Sequence, residues 1–165
     1  MAKIRPFRLD EFLPYRLNRL AAELSARLSR VYRQRHGLAR AEWRVLATLG
    51  EFPGMTAKAI GAHSAMHKTK VSRAVASLEK RRWLKRSRDE QDRRFERLEL
   101  TAAGRAAYDD LVPLMLAFEH ALLWADEGRG ERIAAGLAEL ERALEIGGND
   151  KKDGEGEKGP RVRRL

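Results

Sequence analysis

The chain has 165 residues with 34 Lys/Arg against 24 Asp/Glu, a formal net charge of +10 and no cysteine. That length suits one domain-sized unit with a real core and is short for two ordinary domains, while the basic excess favours nucleic acid or an anionic membrane surface as partner. Without cysteine there are no disulfides, thiolate metal sites or thiol redox switches, and without a long apolar run neither a signal peptide nor a membrane span is supported, so a cytosolic protein is expected.

Residues 1–9 read as a loose arm in which Pro6 discourages an early helix. From Asp10 to His36 a long helix is predicted, because Leu13, Leu17, Leu20, Leu24, Leu28 and Val31 recur at spacings of three and four, and Gly37 is its C-cap candidate. This seam is too long for one small domain to cover. It calls for another helix, from a second subunit. A second helix over 40–49 carries Trp43, Leu46, Ala47 and Leu49 and ends in a turn at 50–54 that contains Gly50, Pro53 and Gly54. Thr56 is placed to N-cap a third, short helix to His63, with Met55 and Ile60 as a hydrophobic staple. Residues 64–66 make a turn, Met66 plugs the core, and His67 stands where the next helix needs a cap.

Residues 66–101 are the stretch around which the chain is organised. A helix here would turn Val71, Val75 and Leu78 to the core and present Lys68, Thr69, Lys70, Ser72, Arg73 and Ala76 outward. That face is small and cationic, so it can approach a major groove, where Lys and Arg reach guanine edges or phosphates. Lys68, Thr69, Lys70, Ser72 and Arg73 are therefore the candidate major-groove residues, with base-edge contact falling to Ser72 and Arg73, and His67, Lys58, Lys85 and Arg88 are the candidate phosphate contacts. After a turn at Trp83, residues 84–88 and 95–100 alternate as two short strands around a polar tip at 89–94 that holds Asp92, Arg93 and Arg94. Between Lys58 and Arg97 there are thirteen Lys/Arg against five Asp/Glu, a local balance of +8, so most of the excess charge lies here.

Thr101 can cap a fifth helix through Tyr108, Leu111, Val112, Met115, Phe118 and Leu122 to about residue 125, with Pro113 expected to kink it near Asp109 or Asp110. Residues 126–130 break the chain. A last helix over 131–146 lines up Ile133, Leu137, Leu140 and Leu144. From 147 to 165 the composition collapses to Gly, Lys, Asp, Glu and Arg, so disorder is expected, with Arg161, Arg163 and Arg164 either meeting phosphates or simply solvated. The expected fold is mainly α with a small β-hairpin wing (α+β): a winged helix-turn-helix lobe at 40–100 between dimerisation helices at 10–36 and 102–146.

No enzyme signature accompanies this pattern: there is no Gly-rich phosphate loop, no nucleophile with a visible base and no set of carboxylates at metal spacing. His63 and His67 are four apart, but the turn between them and the lack of further ligands argue against a metal site. No cofactor is implied.

The order helix, helix, helix-turn-helix, wing and two helices resembles the MarR family of bacterial regulators over residues 10–146. Residues 68–73, reading KTKVSR, followed by Leu78-Glu79, look like that family's recognition helix, and residues 89–104, DEQDRRFERLELTAAG, look like its wing. The resemblance implies a cytoplasmic homodimer reading a pseudo-palindromic operator in double-stranded DNA, with repression relieved by a small ligand such as an aromatic acid. It implies that Arg94, with Arg93 beside it and Asp92 orienting it, enters the minor groove. It places a ligand pocket between lobe and dimer helices, where Trp43 would face a ring, or be plain core, and Arg16 or His36 would hold a carboxylate. It also implies a hinge around Gly37 and Thr101–Gly104. Two departures stand out: Ser64 occupies a turn position that is usually apolar, and Glu96 puts an acid on a wing strand. The alternative function is an effector-independent architectural or protein-interaction winged-helix protein, bound to DNA by charge alone.

Overall fold

The computed structural model describes residues 6–88, 96–124 and 126–146, Arg88 by its backbone alone. Among the described residues, six helices and one hairpin follow in order: α1 Leu13–His36, α2 Arg40–Glu51, α3 Ala57–His63, α4 Lys68–Lys80, β1 Leu84–Arg88, β2 Glu96–Leu100, α5 Ala102–Leu123 and α6 Arg129–Ala143. Residues 1–118 and 119–165 form two separate units. Among the described residues no helix is long and apolar enough to cross a membrane. The expected tail disorder from 147 onward lies outside the described residues, as do residues 1–5 of the arm.

The helix ends follow from local chemistry. Leucine periodicity puts the start of α1 at Asp10, but the helix begins at Leu13 with Pro14 in its first turn, where a missing N–H is tolerated. Ahead of it, Glu11 N–H donates to the Arg8 carbonyl (3.1 Å) and Phe12 N–H to that of Leu9 (3.2 Å). Gly37 closes α1 in the left-handed region at φ 63°, its N–H donating to the Arg33 carbonyl at 2.8 Å. Helix α2 continues two residues past the predicted end, through Gly50. That glycine is a point of close approach, because a Cβ there would run into the Tyr108 ring. The Thr56 hydroxyl accepts from Ala59 N–H at 3.2 Å and His67 Nδ1 from Thr69 N–H at 3.4 Å, so both expected caps are in place. Helix α5 runs unbroken through Pro113, and α6 starts at Arg129 because Gly128 turns the chain at φ 68°.

The core of the first unit gathers Tyr32 and Leu38 at the end of α1, Val45, Leu46 and Leu49 of α2, Ile60 of α3, the α4 stripe, and Leu84, Leu98 and Leu111. Each fully buried side chain of this size contributes roughly 1.5–3 kcal/mol against exposure. Strands β1 and β2 pair antiparallel in the register Leu84 to Leu100, Arg86 to Leu98 and Arg88 to Glu96. A third segment joins them: Leu98 N–H donates to the Met55 carbonyl (2.9 Å) and Gly54 N–H to that of Leu98 (3.2 Å). The hairpin is thereby stitched to the entry of α3.

Two junctions that the sequence marks as hinges are tied. Thr101 N–H donates to the Trp83 carbonyl (3.0 Å) and its hydroxyl to that of Arg82 (2.7 Å), while Gly104 N–H donates to the Thr101 hydroxyl (3.1 Å). Arg81 donates to the His36 (2.9 Å) and Gly37 (3.0 Å) carbonyls, satisfying the end of α1 with a cation, and its guanidinium lies 5.4 Å from the Trp83 ring centre. Arg35 holds Asp110 of α5 through Nε and Nη2, both at 2.7 Å, and His36 Nε2 lies 2.8 Å from the same carboxylate.

Apolar side chains are left uncovered in both units. On α1 Leu20 is 57% exposed and Leu24 39%; on α6 Leu137 is 50% exposed. A solvent-facing leucine alone means little, but a repeating stripe on a helix marks a face that another helix covers.

Two outcomes follow. A Cβ at Gly104 would overlap the Trp83 carbonyl, a backbone atom that cannot yield, so Gly104→Ala should cost about 1–3 kcal/mol in thermal or urea unfolding. The Arg35 guanidinium, helped by His36, holds the Asp110 carboxyl well below its ordinary 3.8. The folded state therefore binds that proton more weakly than the unfolded chain does. The stabilisation is fully present above pH 3.8 and is lost as pH falls below it. Melting curves of wild type and Asp110→Asn should differ most at neutral pH and converge in that acid range.

Candidate nucleic-acid interface and cleft

Helix α4 is amphipathic in the sense its spacing demands. Val71, Ala74, Val75 and Leu78 are buried against α2 and α3, and Lys68, Thr69, Lys70, Ser72, Arg73 and Ala76 are exposed on the other side. Ala74 belongs to the buried stripe, an addition to the three positions predicted. A second tie fixes the rotation of the helix: the Glu42 carboxylate in α2 accepts from the Ser77 hydroxyl and, at 2.6 Å, from Ala39 N–H. Among the described residues no carboxylate pairs with Lys68, Lys70 or Arg73, so their charge faces solvent unneutralised. Lys58 at the start of α3 is exposed as well.

The other predicted contacts divide. His67 is exposed, but its ring also caps α4. Lys85 is paired with Glu99 across the hairpin at 3.1 Å. Arg88 ends β1, with only its backbone described. Asp92, Arg93 and Arg94, the predicted wing tip, lie outside the described residues. Ser64 fits its turn by polar means: its hydroxyl donates to the Ile60 carbonyl at 2.5 Å, and its own carbonyl accepts from Arg44 Nη1 at 3.1 Å. Glu96 is accommodated because Arg86 reaches it at 2.7 Å.

Arg86 itself was not singled out by sequence. It lies opposite Leu98, on the hairpin face that turns toward α4, and donates to Glu79 of α4 through Nε (2.6 Å) and Nη2 (3.1 Å). The two carboxylates hold its guanidinium firmly protonated, raising its pKa above the ordinary arginine value. Glu79 was visible in the sequence only as the residue after Leu78.

An open cleft of about 490 Å³ is lined by Trp43, Arg44, Thr48 and Glu51 of α2, the turn at His63 and Ser64, and Tyr108, Val112 and Met115 of α5. Trp43 does line it, with its ring 5.9 Å from that of Tyr32 and nearly parallel to it. The other two predicted ligand residues do not. Arg16 stands exposed three turns or more up α1, and His36 is engaged by Asp110 and set edge-on to Trp83 at 5.4 Å. Arg44 and His63 are the basic groups actually at the cleft. Among the described residues no group of His, Asp and Glu is arranged to hold a metal ion.

The architecture has counterparts among known proteins. A MarR family profile matches residues 36–94, which span the helix-turn-helix and much of the wing. A MarR family transcriptional regulator from Silicibacter pomeroyi DSS-3 is 29% identical, with 84% of this chain and 98% of that one aligned at a TM-score of 0.72. A MarR/EmrR family regulator from Acinetobacter sp. ADP1 shares the fold at 24% identity, covering 84% and 99%, with a TM-score of 0.74. BpsR of Bordetella bronchiseptica, described as a protein whose DNA binding is regulated by 6-hydroxynicotinic acid, shares it at 21% identity, covering 83% and 98%, with a TM-score of 0.69. No curated protein matches the chain. With profile, structural match and an exposed basic α4 face in agreement, the chain resembles the MarR family of winged-helix, DNA-binding transcriptional regulators in its helix-turn-helix sequence and in its fold.

Proposed function

We propose that the protein is a cytoplasmic homodimeric repressor that binds a pseudo-palindromic operator and leaves it when a small molecule occupies the cleft. The observation that carries the DNA reading is the pairing of a buried α4 face with an opposite face whose Lys68, Lys70 and Arg73 have no acidic partner among the described residues. Recognition helices insert their N-terminal turns, and these residues sit there. Arg73, with Ser72 and Thr69, reads base edges. Lys68, Lys70, Lys58, His67, Lys85 and Arg88 sit on phosphates, and Arg94, oriented by Asp92 beside Arg93, enters an A·T-rich minor groove, where a guanidinium is well suited.

Dimerisation is supported by the exposed leucine stripes on α1 and α6, which a monomer leaves in water. A two-fold dimer of this type sets its recognition helices about 34–36 Å apart, one turn of DNA. Effector release is supported by the cleft, by its Trp43 and Tyr108 rings beside Arg44 and His63, and by the described regulation of BpsR. An aromatic acid suits that lining, with rings for its ring and the Arg44 guanidinium for its carboxylate, set against the opposing charge of Glu51, which also lines the cleft.

Arg73→Ala should weaken operator binding by about 1–3 kcal/mol and relax preference at one position of each half-site, whereas Lys68→Ala should weaken binding to all duplexes alike. Competition titrations against single-base operator variants read both effects. Unchanged relative affinities in Arg73→Ala would sink the assignment and favour a charge-driven architectural role. Arg94→Ala should erase any preference for A·T-rich flanks, measured with flank-swapped duplexes; a preserved preference would remove Arg94 from the minor groove.

A further inference from the structure

Arg86 lies inside the basic stretch and would ordinarily be counted as one more phosphate contact. Its surroundings say otherwise. Along the hairpin, Leu84, Leu98 and Leu100 share one face with Arg86, since residues directly opposite in an antiparallel pair point the same way. Leu84 and Leu98 fill that face with apolar contact toward the core. On β1 the apolar run ends one pleat beyond Leu84, where Arg86 stands opposite Leu98 at the edge of the core. Its Nε and Nη2 hold Glu79 on α4 and its Nη1 holds Glu96 on β2. One guanidinium between two carboxylates carries a local charge of −1, which repels a phosphate. The arrangement joins the C-terminal half of the recognition helix to the far end of the wing strands, just before the tip at residue 89.

We propose that Arg86 is a positioning residue for DNA recognition: through Glu79 and Glu96 it fixes the angle between α4 and the wing, so that both meet one stretch of duplex together. The proposal rests on the DNA-reading assignment made above. Exposed ion pairs usually contribute little to stability, and this one need not contribute much; what it supplies is geometry, by a forked group that bridges α4 and β2 at the edge of the apolar core.

The sign of the Glu79 effect discriminates. If Glu79 and Arg86 act only through charge, removing the acid beside the DNA face tightens binding. If they set the wing angle, removing it weakens binding. The test uses the full chain, the duplex that wild type enriches from a randomised double-stranded pool, and a random duplex of equal length as reference. Glu79→Gln and Arg86→Gln should each lower affinity for the enriched duplex about tenfold, the size of a coupling between contacting residues. Affinity for the random duplex should hardly change, and the double variant should be no worse than either single one. The dependence of log affinity on log salt should keep its slope in Arg86→Gln, since no phosphate contact is lost. Hydroxyl-radical footprints should lose protection at the flanks reached by the wing and keep it at the half-site centres. Arg86→Lys, which retains the charge but not the fork, should show the same footprint loss. Equal or tighter binding by Glu79→Gln, a salt slope reduced by about one in Arg86→Gln, or full affinity in Arg86→Lys would each overturn the proposal. Failure of wild type to enrich any sequence would instead overturn the DNA-reading assignment on which it rests.

Discussion

Everything this protein turns toward DNA depends on how α4 is seated. Val71, Ala74, Val75 and Leu78 are buried together against α2 and α3, and Glu42 holds Ser77 from the neighbouring helix. Rotating the helix by one residue would expose several of these side chains, at roughly 1.5–3 kcal/mol for each valine or leucine. The seat thus fixes which residues face outward, and Lys68, Lys70 and Arg73 owe their exposure to it. The hairpin depends on the same seat, because Leu84 and Leu98 join the core that α4 closes.

Net charge is a poor guide to which cations are available to a partner. Several arginines are engaged within the protein: Arg35 on Asp110, Arg44 on the Ser64 carbonyl, Arg81 on the end of α1, Arg105 on the Gly50 carbonyl, and Arg86 between two carboxylates. These groups close helix ends and join elements distant in sequence. Among the described residues, the α4 cations without acidic partners include Lys68, Lys70 and Arg73, which lie on its exposed side. Charge that is concentrated in this way steers and orients a polyanion better than a larger charge spread over the surface.

Much of the fold was legible because it rests on local rules. Leucine spacing showed α1, the cap residues Gly37, Thr56, His67 and Thr101 showed where helices end, and alternation showed the strands. What was hidden depends on contacts between residues far apart in the chain. Gly50 reads as a breaker until Tyr108 lies against it, and Gly104 reads as a wing signature until the Trp83 carbonyl stands where its Cβ would be. The Met55 bridge to Leu98 has no sequence signal at all. For the site the same division holds. The outward face of α4 followed from period, whereas Arg86 looked like any other basic residue, and Arg16 and His36 were assigned to a cleft that the fold builds around Arg44 and His63 instead.

The ties at Gly37 and at Thr101 bear on how a ligand would act. Arg81, Trp83 and Asp110 bind the end of α1, the turn after α4 and the first half of α5 into one hydrogen-bonded junction. A compound in the cleft would instead touch α2, the turn before α4 and α5. Arg44 and Ser64, which line it, are hydrogen-bonded to each other across the approach to the recognition helix. The shorter physical route from cleft to DNA therefore runs through the seat of α4. Whatever the route, a ligand bound there would shift the equilibrium only by its differential affinity for the two arrangements, about 1.4 kcal/mol for each tenfold loss of DNA binding. A single charge-assisted hydrogen bond at Arg44, made in one arrangement and broken in the other, is enough for that.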